Sequence, residues 1–376
     1  MSDRLVIVDD AFPQLRADGA FSGRKHSEYL GLMKEVENCV TVCPPMSAKS
    51  EDEHNAAIAA LVASTPWLAR NRMIYGDLPP AFNSALAYIV FPHKAVQFLP
   101  YLENYDLSFV CTIYPGGGFV MWGPNAENAQ ARLEVLANHR LFRGFITHHD
   151  IIANHLEKAF PGAPIHRIDG GFSQVSPHEI VPRTSYGVER DTLDVCFVAN
   201  RYDPLGQGKG FDIFLAVARA AHQTHPQIRF HVVGNWPVDA SAGVQPSDPV
   251  TFYGYLSKEA LINFYARMDL IVSPTRIDVP VVGKFDGFPL VVDAGMCGVG
   301  MIVTDPMGQN KHYKNDVDLW VVEPDARDIT QLLERLARLP YHVAAVAKSG
   351  QNIIKETRDP ETTIRQKANL LTTLMP

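Results

Sequence analysis

The sequence predicts an α/β protein with two Rossmann-like domains. Short apolar runs alternate with amphipathic segments along the chain, which is the pattern of parallel sheets covered by helices. At 376 residues the chain is long for one hydrophobic core, so two domains are expected. The alternation stops once, in a polar stretch that starts at Ser173, carries prolines and lacks periodicity. We interpret that stretch as a linker between the domains.

The first domain is predicted over residues 1–185 and the second over residues 190–355. Strand candidates of the first are, in order, RLVIVD, CVTVC, AYIVFP, SFVCTI, RGFITH and PIHRIDGGF. The second repeats the alternation with DVCFVANR, IRFHVVGN, VTFYGY, DLIVSP, GMIVTD and DLWVVEP. A last helix, at about 356–376, is expected to pack back on the first domain. The ligand in such a layout normally binds in the crevice at the carboxyl ends of the strands.

Composition excludes some functions. With a net charge of −7 and a pI near 6.0, the chain has no dominant basic field for nucleic acid. No apolar run is long enough to cross a bilayer, and the N-terminus lacks the apolar core of a signal peptide. The five cysteines are interpreted as buried thiols of a reducing cytoplasm. Peripheral contact with the inner membrane face stays open, because it needs only a modest surface patch.

The segment VANRYDPLGQGKGFDIFL leads from a strand into a helix and contains Arg201 and Lys209. Backbone amides at a helix start, with two cations beside them, suit a diphosphate. Taken alone, the two cations could equally be solvated loop residues. One strand later, FHVVGN ends in Gly234, which permits close approach of the backbone to a ligand or simply makes a turn.

The segment KFDGFPLVVDAGMCGVG places two acids, Asp286 and Asp293, around an apolar run. If the chain is helical from Leu290, the helix N-terminus around Gly287 and Phe288 points amides at an anion. Asp286 would then stand just before the helix, and Asp293 on its first turn could accept two ribose hydroxyls. Alternatively, Asp286 is an N-cap and Asp293 only compensates the helix dipole.

In order and spacing, these motifs resemble the C-terminal half of the retaining GT-B glycosyltransferases of family 4. The counterparts are Arg201 and Lys209, VVGN, FYGYLSKEALINFYARMDLIVSPT, DGFPLVVDAGMCG and GMIVTD, and the match covers about Val195 to Asp325. The resemblance implies that the cationic pair binds the donor diphosphate and that Asp293 binds ribose. It also implies that the stretch from Asp286 to Leu290 recognises the sugar hydroxyls and phosphate.

The chain departs from the family pattern in several places. Both acids are Asp where the family mostly has Glu, and six residues separate them instead of seven. The interval from Arg201 to Lys209 is longer than usual. An insertion, RIDVPVVGKF, makes Asp278 a competitor of Asp286 for the role of first acid. The shorter reach of Asp could alter which sugar fits.

Two glycine-bearing loops of the first half add candidates. The loop in DDAFPQLRADGAFSGRKHSEYL, with Gly19 and Gly23, resembles the family's first loop, whose amides approach the donor phosphate. The element YPGGGF resembles a subset of the same transferases and suggests that Tyr114 and the glycines 116–118 border the sugar pocket. Plain turns are the alternative for both loops.

The segment FITHHDIIANHLEKAF carries three histidines, and the spacing of His148 and His155 with Asp150 could suggest a metal site. An acceptor-facing or helix-capping His149 is the preferred interpretation. No metal and no cofactor are expected.

The resemblance thus implies three sets of site residues. Catalytic residues are Arg201, Lys209 and Asp286. Donor-binding residues are Gly19, Gly116, Gly117, Gly118, Gly234, Tyr255, Gly287, Phe288, Pro289, Leu290 and Asp293. The acceptor or sugar pocket would include Tyr114 and His149.

The implied activity is a retaining, metal-independent transfer of a sugar from a nucleoside diphosphate sugar to an acceptor hydroxyl, as in carbohydrate biosynthesis. The acceptor would be a glycan, a lipid-linked glycan or a small molecule, and no nucleic acid is expected as a partner. A GT-B nucleotide-sugar epimerase, a phosphorylase and a two-lobed binding protein are the alternatives. The base, the sugar and the acceptor stay open.

Overall fold

A computed structural model describes residues 4–13, 23–47, 50–114, 119–123, 125–168, 173–183, 191–201, 205–236, 243–277, 288–308 and 310–376. These residues form two compact units. The first contains the described residues up to Ile168 and residues 361–376. The second contains the described residues from Ser173 to Pro360.

In the described residues the first unit is a seven-stranded parallel sheet of order β3-β2-β1-β4-β5-β6-β7. Its strands are β1 Leu5–Val8, β2 Cys39–Cys43, β3 Met73–Tyr75, β4 Leu86–Val90, β5 Ser108–Ile113, β6 Phe142–Thr147 and β7 Ile165–Arg167. Its helices are α1 Arg24–Glu35, α2 Glu51–Ser64, α3 Pro92–Asn104, α4 Ala126–Ala137, α5 Asp150–Ala159 and, from the C-terminus, α11 Pro360–Leu374. The order, in which strands are added on one side of β1 up to β3 and on its other side from β4 onward, is that of a Rossmann fold.

The described part of the second unit holds a six-stranded parallel sheet of order β10-β9-β8-β11-β12-β13. Its strands are β8 Leu193–Val198, β9 Ile228–Val233, β10 Val250–Phe252, β11 Leu270–Ser273, β12 Gly300–Val303 and β13 Trp320–Val321. Its helices are α6 Phe211–Thr224, α7 Lys258–Tyr265, α8 Phe288–Met296, α9 Ala326–Ala337 and α10 Pro340–Thr357. The strand order again places the reversal beside the first strand, here between β8 and β11.

Successive residues of β8 show why the second sheet is buried on both faces. Val195 and Phe197 pack in one apolar cluster with α6 and α9. Cys196 points the other way, into a second cluster with α7, α8 and α10. Side chains alternate across a strand, so a run of apolar residues supplies both faces at once. The α/β architecture with two Rossmann-like domains is therefore confirmed.

Two local features differ from the sequence prediction. Strand β3 was not predicted, because its three residues are half-buried and carry no periodic signal. The predicted linker has structure at its start: Ser176 forms a capping box with Glu179 on a short 3-10 helix over Pro177–Glu179. The Ser173 amide also donates to the Arg358 carbonyl at 2.9 Å, which ties this segment to the second unit.

All five cysteines are buried thiols, as expected. Within the described residues, no helix combines the length and the apolarity that a membrane-spanning helix requires.

Candidate functional site

The helix α6 begins directly against the carboxyl end of β11. Gly210, just before the helix, has a φ of 73°, in the left-handed region. A Cβ atom at this position would lie 2.1 Å from the Pro274 carbonyl oxygen. Only glycine allows this approach, so the sequence QGKGF is fixed here by packing as well as by backbone conformation. The N-terminus of α6 is thereby held at the carboxyl edge of the sheet.

Trp236 anchors the loop between β8 and α6. Its ring stacks on Phe211 with 4.0 Å between centroids, and its Nε1 donates to the Ala199 carbonyl oxygen at 2.7 Å. A Cβ at Gly206 would come within 2.3 Å of the indole. Sequence analysis did not select Trp236. Its position two residues after a strand-end glycine could have indicated a buried anchor, because a tryptophan ring has a large apolar area.

Gly234 lies at the end of β9, as predicted, with a φ of 130°. Packing requires glycine at this position, because a Cβ atom would lie 2.1 Å from the Ala199 carbonyl oxygen. The backbone ends of β8 and β9 therefore approach closely at this point. The role of Gly234 in ligand approach stays a prediction.

Arg201 and Lys209 lie on the same loop at this edge. The Arg201 amide donates to Asn235 Oδ1 at 2.7 Å, which joins the loop after β8 to the loop after β9. Lys209 ends a 3-10 helix over Gln207–Lys209 and is only 3% exposed. Burying an ammonium group is costly unless polar groups surround it. Both predicted cations therefore lie in the segment between β8 and α6, with Lys209 directly before the helix.

A third cation was not predicted as a site residue. Arg276 follows β11, and its Nη1 lies 3.3 Å from Oδ2 of Asp212 in the first turn of α6. Nearby, Thr304 Oγ1 donates to the Thr275 carbonyl oxygen at 2.7 Å and links the ends of β11 and β12. Arg276 was missed because it opens the insertion RIDVPVVGKF, for which the family pattern has no counterpart.

Asp293 lies in α8, which starts at Phe288. The predicted helix start near Gly287 and Phe288 is thus close, but Asp293 falls in the second turn instead of the first. Its Oδ1 accepts hydrogen bonds from Ser173 Oγ at 3.0 Å and from the Gln174 amide at 2.7 Å. Its Oδ2 accepts one from Gln174 Nε2 at 2.9 Å, and the residue is 9% exposed. Ser173 and Gln174 were missed because the segment that carries them lacks periodicity.

Only some of the remaining predicted donor-binding residues lie in the described part of the chain. Phe288, Pro289 and Leu290 form the first turn of α8. Tyr255 is half-buried and follows Gly254, whose φ is 65°. The following predicted residues lie outside the described part of the chain: Gly19, Gly116, Gly117, Gly118, Asp278, Asp286 and Gly287.

In the first unit, Asp9 organises the end of β1. Its Oδ1 accepts from the amides of Ala11 and Phe12, and its Oδ2 accepts from Lys25 Nζ at 2.7 Å and Tyr29 OH at 2.9 Å. Burial acts to raise the pKa of this carboxyl group. The charge of Lys25 and these hydrogen bonds outweigh burial, so the pKa lies below its usual value.

A buried polar network, here called the Glu28 cluster, lies beside the middle of β4 and the carboxyl ends of β5 and β6. It joins Glu28, Tyr88, Tyr114, His148 and Lys367. Both Tyr88 and Tyr114 donate to the Glu28 carboxylate, Tyr114 at 2.5 Å. Lys367 Nζ lies 2.8 Å from Glu28 Oε1 and 3.1 Å from His148 Nε2. Burial lowers the pKa of Lys367, although Glu28 acts to raise it.

The contacts of His148 fix its tautomer. Its Nδ1 lies 3.1 Å from the Ile168 carbonyl oxygen, which can only accept. The proton therefore resides on Nδ1, and Nε2 accepts from Lys367. The ring also stacks on Tyr114 with 5.1 Å between centroids. Tyr114 is thus positioned by both its hydroxyl and its ring.

The other histidines of this segment are separate from one another. His149 is the N-cap residue of α5, with no hydrogen bond from its side chain to the helix end. His155 packs edge-on against Phe119, with 6.1 Å between centroids. His148 and His155 therefore face different neighbours.

Comparisons with known proteins agree with this architecture. Residues 192–339 match the family model described as Glycosyl transferases group 1. A search of the curated proteins found no match. Sucrose-phosphate synthase from Thermosynechococcus elongatus superposes with a TM-score of 0.68 at 14% identity, over 99% of each chain.

Two further solved structures are similar over nearly their full length. HepE from Anabaena, in complex with UDP and glucose, has a TM-score of 0.66 at 15% identity, over 99% of this chain and 100% of that one. A glycosyltransferase from Rickettsia africae ESF-5 has a TM-score of 0.66 at 12% identity, over 99% and 98%. The chain therefore has the GT-B fold, and residues 192–339 are similar to the group 1 glycosyl transferases.

Proposed function

We propose that this protein transfers a sugar from a nucleoside diphosphate sugar to an acceptor hydroxyl, with retention of configuration and without a metal. One observation carries the proposal. Arg201 and Lys209 both lie in the segment that leads from β8 into the N-terminus of α6, and this segment matches the group 1 glycosyl transferases. Cations beside a helix N-terminus form a favourable site for a diphosphate.

This arrangement suits the chemistry of the leaving group. As the bond between the anomeric carbon and the phosphate oxygen breaks, negative charge grows on the diphosphate. Cations and amide dipoles stabilise such charge without reorganising when they are already oriented toward the leaving group. Arg201 supplies a half-buried guanidinium and Lys209 a buried ammonium. The predicted contribution of Asp286 belongs to the same step.

Retention follows if the acceptor attacks from the face that the diphosphate leaves. The acceptor oxygen then bonds to the anomeric carbon, and its proton passes to the departing phosphate oxygen. The bonds formed and broken and the transferred proton are all accounted for in this step without a side-chain nucleophile, a metal or a cofactor.

The nucleoside is proposed to lie toward α8 and β10. Asp293 would hold ribose hydroxyls, and the backbone near Gly234 and Tyr255 would contact the base. UDP is the first nucleotide to examine, because the structure of HepE contains it. The segment from Gly287 to Leu290 would contact the sugar and its phosphate.

The acceptor is proposed to bind the first unit, near Tyr114 and His149. Both follow strands that end at the carboxyl edge of its sheet, which is where ligands of Rossmann-like folds bind. The Tyr114 hydroxyl donates to Glu28, which fixes the orientation of the phenol ring beside the proposed acceptor site. The buried thiols support a cytoplasmic location, and peripheral membrane contact stays part of the proposal.

A two-stage assay tests this function. A panel of nucleoside diphosphate sugars is first screened by thermal shift, since a ligand that binds the folded state raises the Tm. The stabilising donor is then incubated with candidate acceptors, with and without EDTA, and the anomeric configuration of the product is read by NMR. We expect a retained configuration and no effect of EDTA. An epimerised nucleotide sugar formed without acceptor would establish the alternative enzyme class instead.

A further inference from the structure

An apolar groove of about 590 Å³ lies between α2, the 3-10 helix over Pro66–Arg70 and β3. Because β3 is the edge strand of the first sheet, the groove lies where the described sheet ends. Its walls are mostly aliphatic and include Ile58, Val62, Leu68, Met73 and Ile74. Apart from Leu68 these side chains are only half-buried, so the groove keeps apolar surface in contact with water. Exposed apolar surface of this kind is typical of a place where a partner docks.

The outer side of α2 continues this apolar surface. Beyond Asn55, the exposed residues of the helix are all small: Ala56, Ala59, Ala60, Ala63 and Ser64. The solvent-facing side of a helix normally carries charged or polar side chains. Small side chains instead allow a second helix to approach closely, because the distance between packed helices depends on the side chains at the contact. Since Ala59 also lines the groove, groove and helix face form one continuous area, here called the α2 surface.

Charges of opposite sign lie at the two ends of the α2 surface. They are exposed and comprise Glu51, Asp52 and Glu53 in the first turn of α2, and Arg70 and Arg72 beyond its last turn. The His54 ring lies 5.7 Å from the ring of Tyr75, the last residue of β3, so the acidic end is at the carboxyl edge of the sheet. The arginines precede β3 and therefore lie at the amino edge. The length of α2, about 20 Å for its 14 residues, separates the two ends.

We propose that the α2 surface is a dimer interface, on which a second copy of this chain docks with the two α2 helices antiparallel. A two-fold axis brings the same surface of both copies together, so that surface must be complementary to itself. With antiparallel helices, the acidic end of each copy meets the arginines of the other, and both contacts are attractive. A parallel arrangement would place acid against acid and arginine against arginine. The charges therefore favour a second copy in one orientation, independently of the function proposed above.

Trp67 gives the α2 surface a large aromatic side chain. It belongs to the 3-10 helix that lines the groove and is 38% exposed. The guanidinium carbon of Arg70 lies 6.0 Å from the centroid of its ring. Tryptophan and arginine are enriched among the residues that carry most of the energy of an interface. We therefore expect the Trp67 ring to be covered in the dimer.

The first test is sedimentation velocity of the full chain at increasing protein concentration. Ala59→Glu places a charge in the middle of α2, where the two copies would hold like charges against each other. Ala220→Glu, at an exposed position of α6 in the second unit, is the matched control. We expect wild type and Ala220→Glu to dimerise, and Ala59→Glu to bind its partner weaker by about tenfold or more. High salt should weaken the wild-type dimer, because it screens the charges at the two ends.

A second test exchanges the charges at the two ends. Arg70→Glu with Arg72→Glu makes both ends acidic, and Glu51→Lys with Asp52→Lys makes the other end basic as well. Each double variant should be monomeric alone, because like charges then meet at both contacts. A mixture of the two should form a heterodimer, since every contact is again between opposite charges. The association of the mixture also shows that both variants are folded.

Every other outcome contradicts the proposal. A wild-type chain that stays monomeric overturns it, and a dimer that Ala59→Glu leaves intact assigns the interface to another surface. If the mixed double variants do not associate although circular dichroism shows both to be folded, the antiparallel arrangement is wrong. If wild type is monomeric and sediments with phosphatidylglycerol vesicles, and Ala59→Glu does not, the α2 surface binds a membrane and the dimer is refuted.

Discussion

Lys367 Nζ lies 2.8 Å from Glu28 Oε1, and both side chains are almost fully buried, at 1% and 0% exposure. One residue comes from the last helix of the chain and the other from the first. The pair ties α11 to α1 within the first unit, beside Gly31, where a Cβ would lie 2.4 Å from the Ile364 side chain. The charge of Glu28 also orients Tyr88 and Tyr114.

Replacing Lys367 by Met should destabilise the first unit strongly. It would leave the Glu28 carboxylate buried without its cation, which typically costs about 3–5 kcal/mol. Urea unfolding followed by circular dichroism measures the effect. Arg365→Met is the control, because its ion pair with Glu35 is 3.8 Å long and more exposed, so less than about 1 kcal/mol is expected.

Removing both charges separates charge from packing. In Glu28→Gln with Lys367→Met, the amide oxygen can still accept from one tyrosine and the amide nitrogen can donate to the hydroxyl oxygen of the other, so much of the lost stability should return. A double variant as unstable as Lys367→Met alone would show that the ion pair is not what matters.

Stability should fall as the pH drops from 6.5 toward 4 because of His26. Burial and then the charge of Lys25 lower the pKa of His26 from 6.5 to about 4. The unfolded chain thus binds a proton in this window while the folded chain does not, so the free energy of unfolding decreases as pH decreases.

The measurement is the urea midpoint at several pH values for wild type, His26→Phe and the exposed control His222→Phe. His26→Phe keeps an aromatic ring against Phe12, whose ring centroid lies 5.3 Å away. Its profile should be flatter than that of wild type between pH 4 and 6.5. An unchanged slope in His26→Phe would assign the pH dependence to other groups.

Gly210→Ala should weaken nucleotide binding as well as stability. Gly210 and Gly243 share a φ of 73°, but only Gly210 has an obstructing atom, the Pro274 carbonyl oxygen, which would lie 2.1 Å from an added Cβ. In Gly243→Ala the free energy of unfolding should fall only by the cost of placing alanine in the left-handed region, about 1–2 kcal/mol, because no atom lies near the added Cβ.

Gly210→Ala must in addition push the N-terminus of α6 away from β11. We expect a larger loss of stability than in Gly243→Ala, together with a loss of donor affinity that Gly243→Ala does not show. Comparable affinities in the two variants, measured by calorimetry, would argue against a binding role for the start of α6.

Much of the second unit could be predicted from the sequence because local signals suffice there. The apolar runs predict its strands, and Ser257 caps α7 by accepting from the Ala260 amide, as the pattern SKEA indicates. Arg201 and Lys209 were selected as candidates because both lie in one strand-to-helix connection, and their role stays a prediction. Gly234 was predicted at the end of its strand and lies there.

What the sequence could not predict depends on residues that are distant along the chain. The Glu28 cluster joins five segments of the chain. The residues around Glu28 (EYLGLM) and Lys367 (RQKANL) show no pattern that predicts a buried ion pair. Ser173 and Gln174 meet Asp293 across more than a hundred positions of the chain, separated by 120 and 119 residues. Such contacts depend on how the strands and helices are arranged in space. The periodicity of apolar residues predicts local elements only, so it does not predict these contacts.

The most direct measurement of the central claim is the affinity for a nucleoside diphosphate relative to its monophosphate. If Arg201, Lys209 and the start of α6 bind the diphosphate, wild type should prefer UDP to UMP, or the corresponding pair of another base, by tenfold or more, since each charge-assisted hydrogen bond contributes about 1.5–3 kcal/mol. Arg201→Gln should remove most of this preference, while Arg327→Gln, at a highly exposed position, should keep it. Equal binding of diphosphate and monophosphate by wild type, or an unchanged preference in Arg201→Gln, would contradict the account.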